Sequence, residues 1–152
     1  MRLGVRLAVD YGQARIGVAR CDAAGSWCSP VETIRNDAGA LARLAELVAE
    51  YAPIEVVWGF PLRLDGGEGP AAAARRAKAA EFAAAVPDVP VRLVDERMST
   101  AAATTLVREA GRTARSGRAI IDQAAAVAIL EQALAIERST GNPPGIPLRE
   151  GS

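Results

Sequence analysis

Leu7-Ala8-Val9-Asp10-Tyr11-Gly12-Gln13-Ala14-Arg15-Ile16-Gly17-Val18-Ala19 decides how the rest of the chain is read. Leu7, Ala8 and Val9 form an apolar run that reads as a strand, and the run ends in a carboxylate, Asp10. A short link containing Gly12 follows, then a second apolar run. The spacing predicts an antiparallel hairpin with strands over residues 6–10 and 16–21. Gly17, inside the second strand, predicts a close approach of another backbone. A charge at the end of a buried strand is costly unless a cation or a metal pairs with it. Asp10 therefore needs a partner, and the remaining residues must supply it.

Outward from the hairpin, residues 22–26 read as a turn and residues 29–34 as a third strand. Asn36 or Asp37 is placed to cap a helix whose apolar stripe is Leu41, Leu44, Ala45, Leu47 and Val48. Pro53 ends it. Residues 54–58 form a short strand, parallel to the first because a helix connects them. Residues 59–69 make the longest loop, which reads as the rim of a site with Arg63 available to a phosphate. Pro70 starts an Ala-rich helix to about residue 86, carrying Arg75, Arg76 and Lys78. Residues 89–94 form the last strand, which runs into Asp95-Glu96-Arg97, and Ser99 or Thr100 caps a helix to about residue 110. Residues 111–118 read as a flexible basic loop in which Arg112, Arg115 and Arg118 form a candidate nucleic-acid finger. The last helix is expected over about 121–137. Trp27 and Trp58 are expected to be packing residues.

This order predicts an α/β fold: a five-stranded mixed sheet, an antiparallel meander plus two parallel strands, flanked by helices with the first strand central. One domain is expected over residues 1–138, with a disordered tail over 139–152.

Composition narrows the chemistry. The chain has 152 residues, half of them hydrophobic, with 18 basic and 18 acidic side chains. That balance disfavours non-specific coating of nucleic acid but allows a local basic surface. No apolar run approaches a membrane span, and no signal peptide is visible, so a cytoplasmic location is expected. There is no His, which excludes Ser-His-Asp and Cys-His catalysis. Cys21 and Cys28 read as reduced thiols, with a bridge across the hairpin or one between subunits as the alternative.

Carboxylates sit at element ends: Asp10, then Asp95 and Glu96, then Asp122 in the expected first turn of the final helix. Functional groups of open α/β sheets gather at the carboxyl ends of parallel strands. Clustered there, these charges require cations. Oxygen ligands without His or Cys suit Mg²⁺ or Mn²⁺, and two such ions about 4 Å apart can hydrolyse a phosphodiester. Strand alternation allows only one of Asp95 and Glu96 to face the site. Simpler readings stand beside this one: Asp122 as an ordinary acid near a helix N-terminus, and Asp95 and Glu96 paired with Arg97.

Asp10-Tyr11-Gly12-x-x-Arg15-Ile16-Gly17-Val18-Ala19, Gly59-Phe60-Pro61-Leu62, Asp95-Glu96-Arg97-Met98-Ser99-Thr100 and Ile121-Asp122-x-Ala124-Ala125-x-x-x-Ile129-Leu130 together resemble the YqgF (RuvX) family. The resemblance implies an RNase H-like fold related to Holliday junction resolvases. It implies a metal-dependent endonuclease, a hydrolase acting on ester bonds, that matures the 5′ end of the 16S rRNA precursor in ribosome biogenesis. The family's catalytic and metal-binding carboxylates fall on Asp10, Glu96 and Asp122, with Mg²⁺ or Mn²⁺ as cofactor. Arg15, Arg63, Arg97, Arg112, Arg115 and Arg118 are the candidate substrate contacts. Structured RNA, branched DNA and the pre-ribosomal particle are the expected partners, membranes are not, and the chain is expected to be a monomer or homodimer. Ala14 stands where a Lys is common, and Gly59-Phe60-Pro61 replaces the more usual Gly-Leu-Pro. The alternatives are a Holliday junction resolvase, a non-catalytic RNA-binding protein, and a nucleotide-binding module like the actin-like ATPases. The last needs two such domains, and this chain is long enough for one.

Overall fold

A computed structural model describes residues 1–60, 70–95 and 114–148; the side chains of residues 71–72 and 114–121 are not described. The strands are β1 (Arg6–Tyr11), β2 (Arg15–Cys21), β3 (Cys28–Arg35), β4 (Glu55–Phe60), β5 (Val91–Asp95) and β6 (Ile146–Pro147). The helices are α1 (Ala40–Tyr51), α2 (Pro70–Ala85) and α3 (Ala114–Thr140). They build one mixed sheet in the order β3-β2-β1-β4-β5-β6. β1 is antiparallel to β2 and parallel to β4, as the hairpin and the helical crossover require.

Side-chain size divides the two faces of the sheet. Leu7, Val9 and Tyr11 of β1, Trp58 and Phe60 of β4, and Leu93 of β5 form one core with Leu44 and Leu47 of α1 and Phe82 of α2. The alternate positions are small: Ala8, Ala19 and Val57 pack against Ala126, Ile129, Leu130 and Ala133 of α3. Small residues let the backbone of α3 lie close over the centre of the sheet.

At the opposite end of α3 from Asp122, buried Glu137 accepts hydrogen bonds from Arg6 Nη2 at 2.9 Å and from Arg2 Nη2 at 2.6 Å. Arg2 also bridges to buried Glu55 at 3.0 Å. This network ties the helix to the amino ends of β1 and β4.

Several expectations need correction. Among the described residues the sheet has six strands, not five, because residues expected to be disordered add β6. Leu148 N–H donates to the Val91 carbonyl at 2.9 Å, and the Arg92 guanidinium donates to the carbonyls of Pro144 and Gly145. A proline, which has no N–H, is tolerated there because an edge strand has no outer neighbour that needs a donor. The last helix starts at Ala114 and runs to Thr140, so Arg115 and Arg118 sit in its first two turns and not in a loop. Gly39, not Asn36 or Asp37, is the N-cap of α1; Asp37 instead accepts the Gly39 N–H at 2.9 Å. Trp58 is buried as expected, but Trp27 at the β2–β3 turn is 71 % exposed and packs in neither core. The helix expected after Ser99 lies outside the described residues.

Candidate active site

Asp10 is the penultimate residue of β1 and is partly buried. Alternation turns its side chain to the face of Ala8, under α3. Its partner across the ladder is Gly17. Residues directly opposite in an antiparallel pair hold their Cβ atoms about 4.5–5.5 Å apart on one face. Gly17 has no Cβ, and the backbone of α3 takes that place: a Cβ there would overlap the carbonyl oxygen of Asp122. α3 thus brings Asp122 beside Asp10, and the close approach expected at Gly17 is what makes this possible.

Asp122 lies nine residues into α3, in its third turn, so the reading as an N-terminal helix acid does not apply. Its side chain is 15 % exposed and its Oδ2 accepts a hydrogen bond from Arg15 Nε at 2.7 Å. The next residue is also tied down, with Gln123 Nε2 donating to Thr33 Oγ1 at 3.0 Å. Arg15 thus bonds directly to a candidate site carboxylate, a contact that sequence reasoning missed. The two residues are 107 positions apart, and no local pattern signals such a pair.

β5 separates its acids as alternation demands. Asp95 pairs in register with Phe60 and shares the face of Val91 and Leu93, opposite to that of Asp10. Glu96 lies outside the described residues, as do Arg63, Arg97 and Arg112. Among the described residues no three His, Cys, Asp or Glu side chains form a cluster.

Asp10 and Asp122 offer oxygen donors alone, the chemistry that suits hard divalent cations. An Arg holding one oxygen of a ligating carboxylate is the kind of outer partner that orients metal ligands. The donor set therefore fits such an ion. Cys21 and Cys28 face each other across β2 and β3 as free thiols. Burial pushes the Cys28 thiol up to about 12, which makes it a poor nucleophile or ligand.

The family described as "RuvX: Holliday junction resolvase" matches residues 4–136. The chain belongs to this family. It is 57 % identical over 147 residues to a Streptomyces coelicolor protein described as "Putative pre-16S rRNA nuclease", covering 95 % of this chain and 88 % of that one. A Thermobifida fusca protein with the same description is 53 % identical over 152 residues, covering 95 % and 96 %. The fold resembles that of Thermus thermophilus RuvC, solved with a Holliday junction substrate. That likeness has a TM-score of 0.62 at 17 % identity and covers 92 % of this chain and 99 % of RuvC. At that identity the RuvC likeness speaks for the RNase H-like fold of this RuvX-family chain and for nothing finer.

Proposed function

We propose that this chain is a metal-dependent endonuclease that hydrolyses phosphodiester bonds in the 5′-end maturation of the 16S rRNA precursor. In this reading it acts in the cytoplasm on the pre-ribosomal particle, as a monomer or homodimer. The observation that carries the proposal is the seating of Asp122 over Gly17, directly across the ladder from Asp10. The family and the description of its relatives supply the substrate class.

Asp10, Asp122 and Glu96 would hold Mg²⁺ or Mn²⁺. Glu96 is chosen over Asp95 because Asp95 shares the face of Val91 and Leu93, opposite to that of Asp10, and because the family's motif carries the carboxylate at Glu96. Held there, a divalent cation would supply an activated water and positive charge for the leaving oxygen. Arg15 keeps Asp122 turned toward the site. Arg63, Arg97, Arg112, Arg115 and Arg118 supply charge to the phosphates of the substrate.

Cleavage of a 16S precursor and of a four-way DNA junction, each with Mg²⁺ or Mn²⁺, tests this reading. Asp10→Asn is expected to lose on the order of 100-fold in rate, about 2.7 kcal/mol of barrier. An unchanged rate would overturn it. Cleavage of the junction alone would replace the precursor by branched DNA as substrate.

A further inference from the structure

The reverse side of the same hairpin carries an open cavity of about 560 Å³, within the range of small-ligand pockets. Its lining includes Tyr11, Gly12, Gln13, Asn36, Arg75 and Lys78, and among the described lining residues none is acidic. Tyr11 follows Asp10 in β1 and therefore faces the opposite side of the sheet. The cavity and the carboxylate site thus flank one strand end.

The cavity has a fixed floor. The Tyr11 ring stacks on Trp58, with centroids 5.2 Å apart and planes at 21°. Its hydroxyl donates to Asn36 Oδ1 at 3.0 Å, and Asn36 Nδ2 donates to the Gly12 carbonyl at 2.8 Å. One amide therefore ties the end of β1, the turn after it and the link that follows β3 together. The Asn36 amide has a second N–H and a second lone pair for a ligand.

The wall is basic. Arg75 and Lys78 are three residues apart on α2 and share one face of it. Lys78 pairs with Glu81 at 3.1 Å, and both side chains are about half exposed. A pair so exposed holds its lysine weakly and gives it up to a stronger anion. A preorganised polar floor beneath two cations matches a sugar-phosphate unit, in which one charged group and several hydrogen-bonding groups stand together.

We propose that this cavity binds a phosphate-bearing nucleotide of the nucleic-acid strand, displaced along the chain from the bond held at Asp10. Arg75 and Lys78 take the phosphate, and Asn36, Gln13 and the Gly12 backbone face the nucleoside. The identity of the strand as substrate rests on the nuclease reading; the affinity for a nucleotide does not.

The test is binding of a fluorescein-labelled single-stranded RNA to the full chain in EDTA, read by anisotropy across a salt series. The double variant Arg75→Gln/Lys78→Gln is expected to bind at least about tenfold more weakly. Losing the contact to that phosphate should flatten the slope of log K against log salt by about 0.7. Arg43→Gln, on α1 outside the cavity, is expected to bind like wild type. Lys78→Gln alone alters only an exposed side chain, so its smaller loss of affinity and slope covers the case of a double variant that fails to fold. Unchanged affinity and slope in these variants would overturn the proposal. Binding through this cavity by a protein that cleaves nothing with Mn²⁺ would support this proposal and sink the nuclease reading.

Discussion

Gly17 and Asp122 are in backbone contact, with the Asp122 carbonyl occupying the space where any other residue at position 17 would carry its Cβ. Gly17 is also the ladder partner of Asp10. One missing methyl group therefore lets α3 seat Asp122 over the ladder partner of Asp10, bringing two candidate site residues of different elements together.

Gly17→Ala is expected to push α3 off the sheet. Overpacking of this kind costs about 1–3 kcal/mol, and each kcal/mol lowers Tm by roughly 2–4 °C in a chain of this size. The displaced Asp122 should lower metal-dependent cleavage on the order of 100-fold, as misplacement by an ångström does. Thermal melts and cleavage rates, taken where both proteins are folded, check this. Wild-type cleavage by Gly17→Ala would show that the contact does not position the site.

Arg15→Gln should separate orientation from stability. The Arg15 side chain is 39 % exposed, and a pair exposed on one side contributes under about 1 kcal/mol to folding. Loss of an outer partner of a metal ligand typically costs 10–100-fold in metal affinity or activity. The expected result is a nearly unchanged Tm with a Mn²⁺ isotherm shifted at least about tenfold to higher concentration. Calorimetry without substrate measures it. An unshifted isotherm would assign Arg15 to substrate alone.

The Glu137 network should govern acid stability. The Arg2 hydrogen bond holds the Glu137 carboxyl down at about 2, against an ordinary value of 4.5. Its contribution is complete above the ordinary value and is lost as pH falls through about 2. Glu55 works in the opposite sense, since burial pushes its carboxyl up; its contribution is complete below 4.5 and is eroded as rising pH ionises it. Glu137→Gln leaves Arg6 buried against a neutral group, with an expected cost of about 3–5 kcal/mol at pH 7. The variant should also lose less further stability than wild type between pH 4.5 and 2. Denaturant melts across that window decide, and parallel acid profiles would remove Glu137 as the cause.

The hairpin, the parallel strands after it and the carboxylate at the end of β1 were all legible in the sequence. Each rests on a local pattern: alternation, a turn residue, a helix-length connection. The choice between Asp95 and Glu96 was partly legible, because alternation states that only one can face the site. The register of β5 then turns Asp95 toward the Phe60 side.

Other features were not legible, because their causes lie far away in the chain. Gly117 and Ser116 read as loop, yet α3 runs through them. A packed helix can extend over a glycine that costs only about 1 kcal/mol. The prolines of the tail read as disorder, yet Arg92 and Val91 supply partners that order Ile146 and Pro147 on the sheet edge.

By itself, then, the sequence determined the order of the elements from β1 to β5 and placed Asp10 at a strand end, since strand and turn preferences act over a few residues. Only the tertiary structure decided that Asp122 sits over Gly17, that Arg15 holds it, and that Tyr11, Asn36, Arg75 and Lys78 share one cavity. Those relationships depend on how closely α3 and α2 pack on opposite faces of the sheet, and that closeness is set by side-chain volumes brought together from distant parts of the chain.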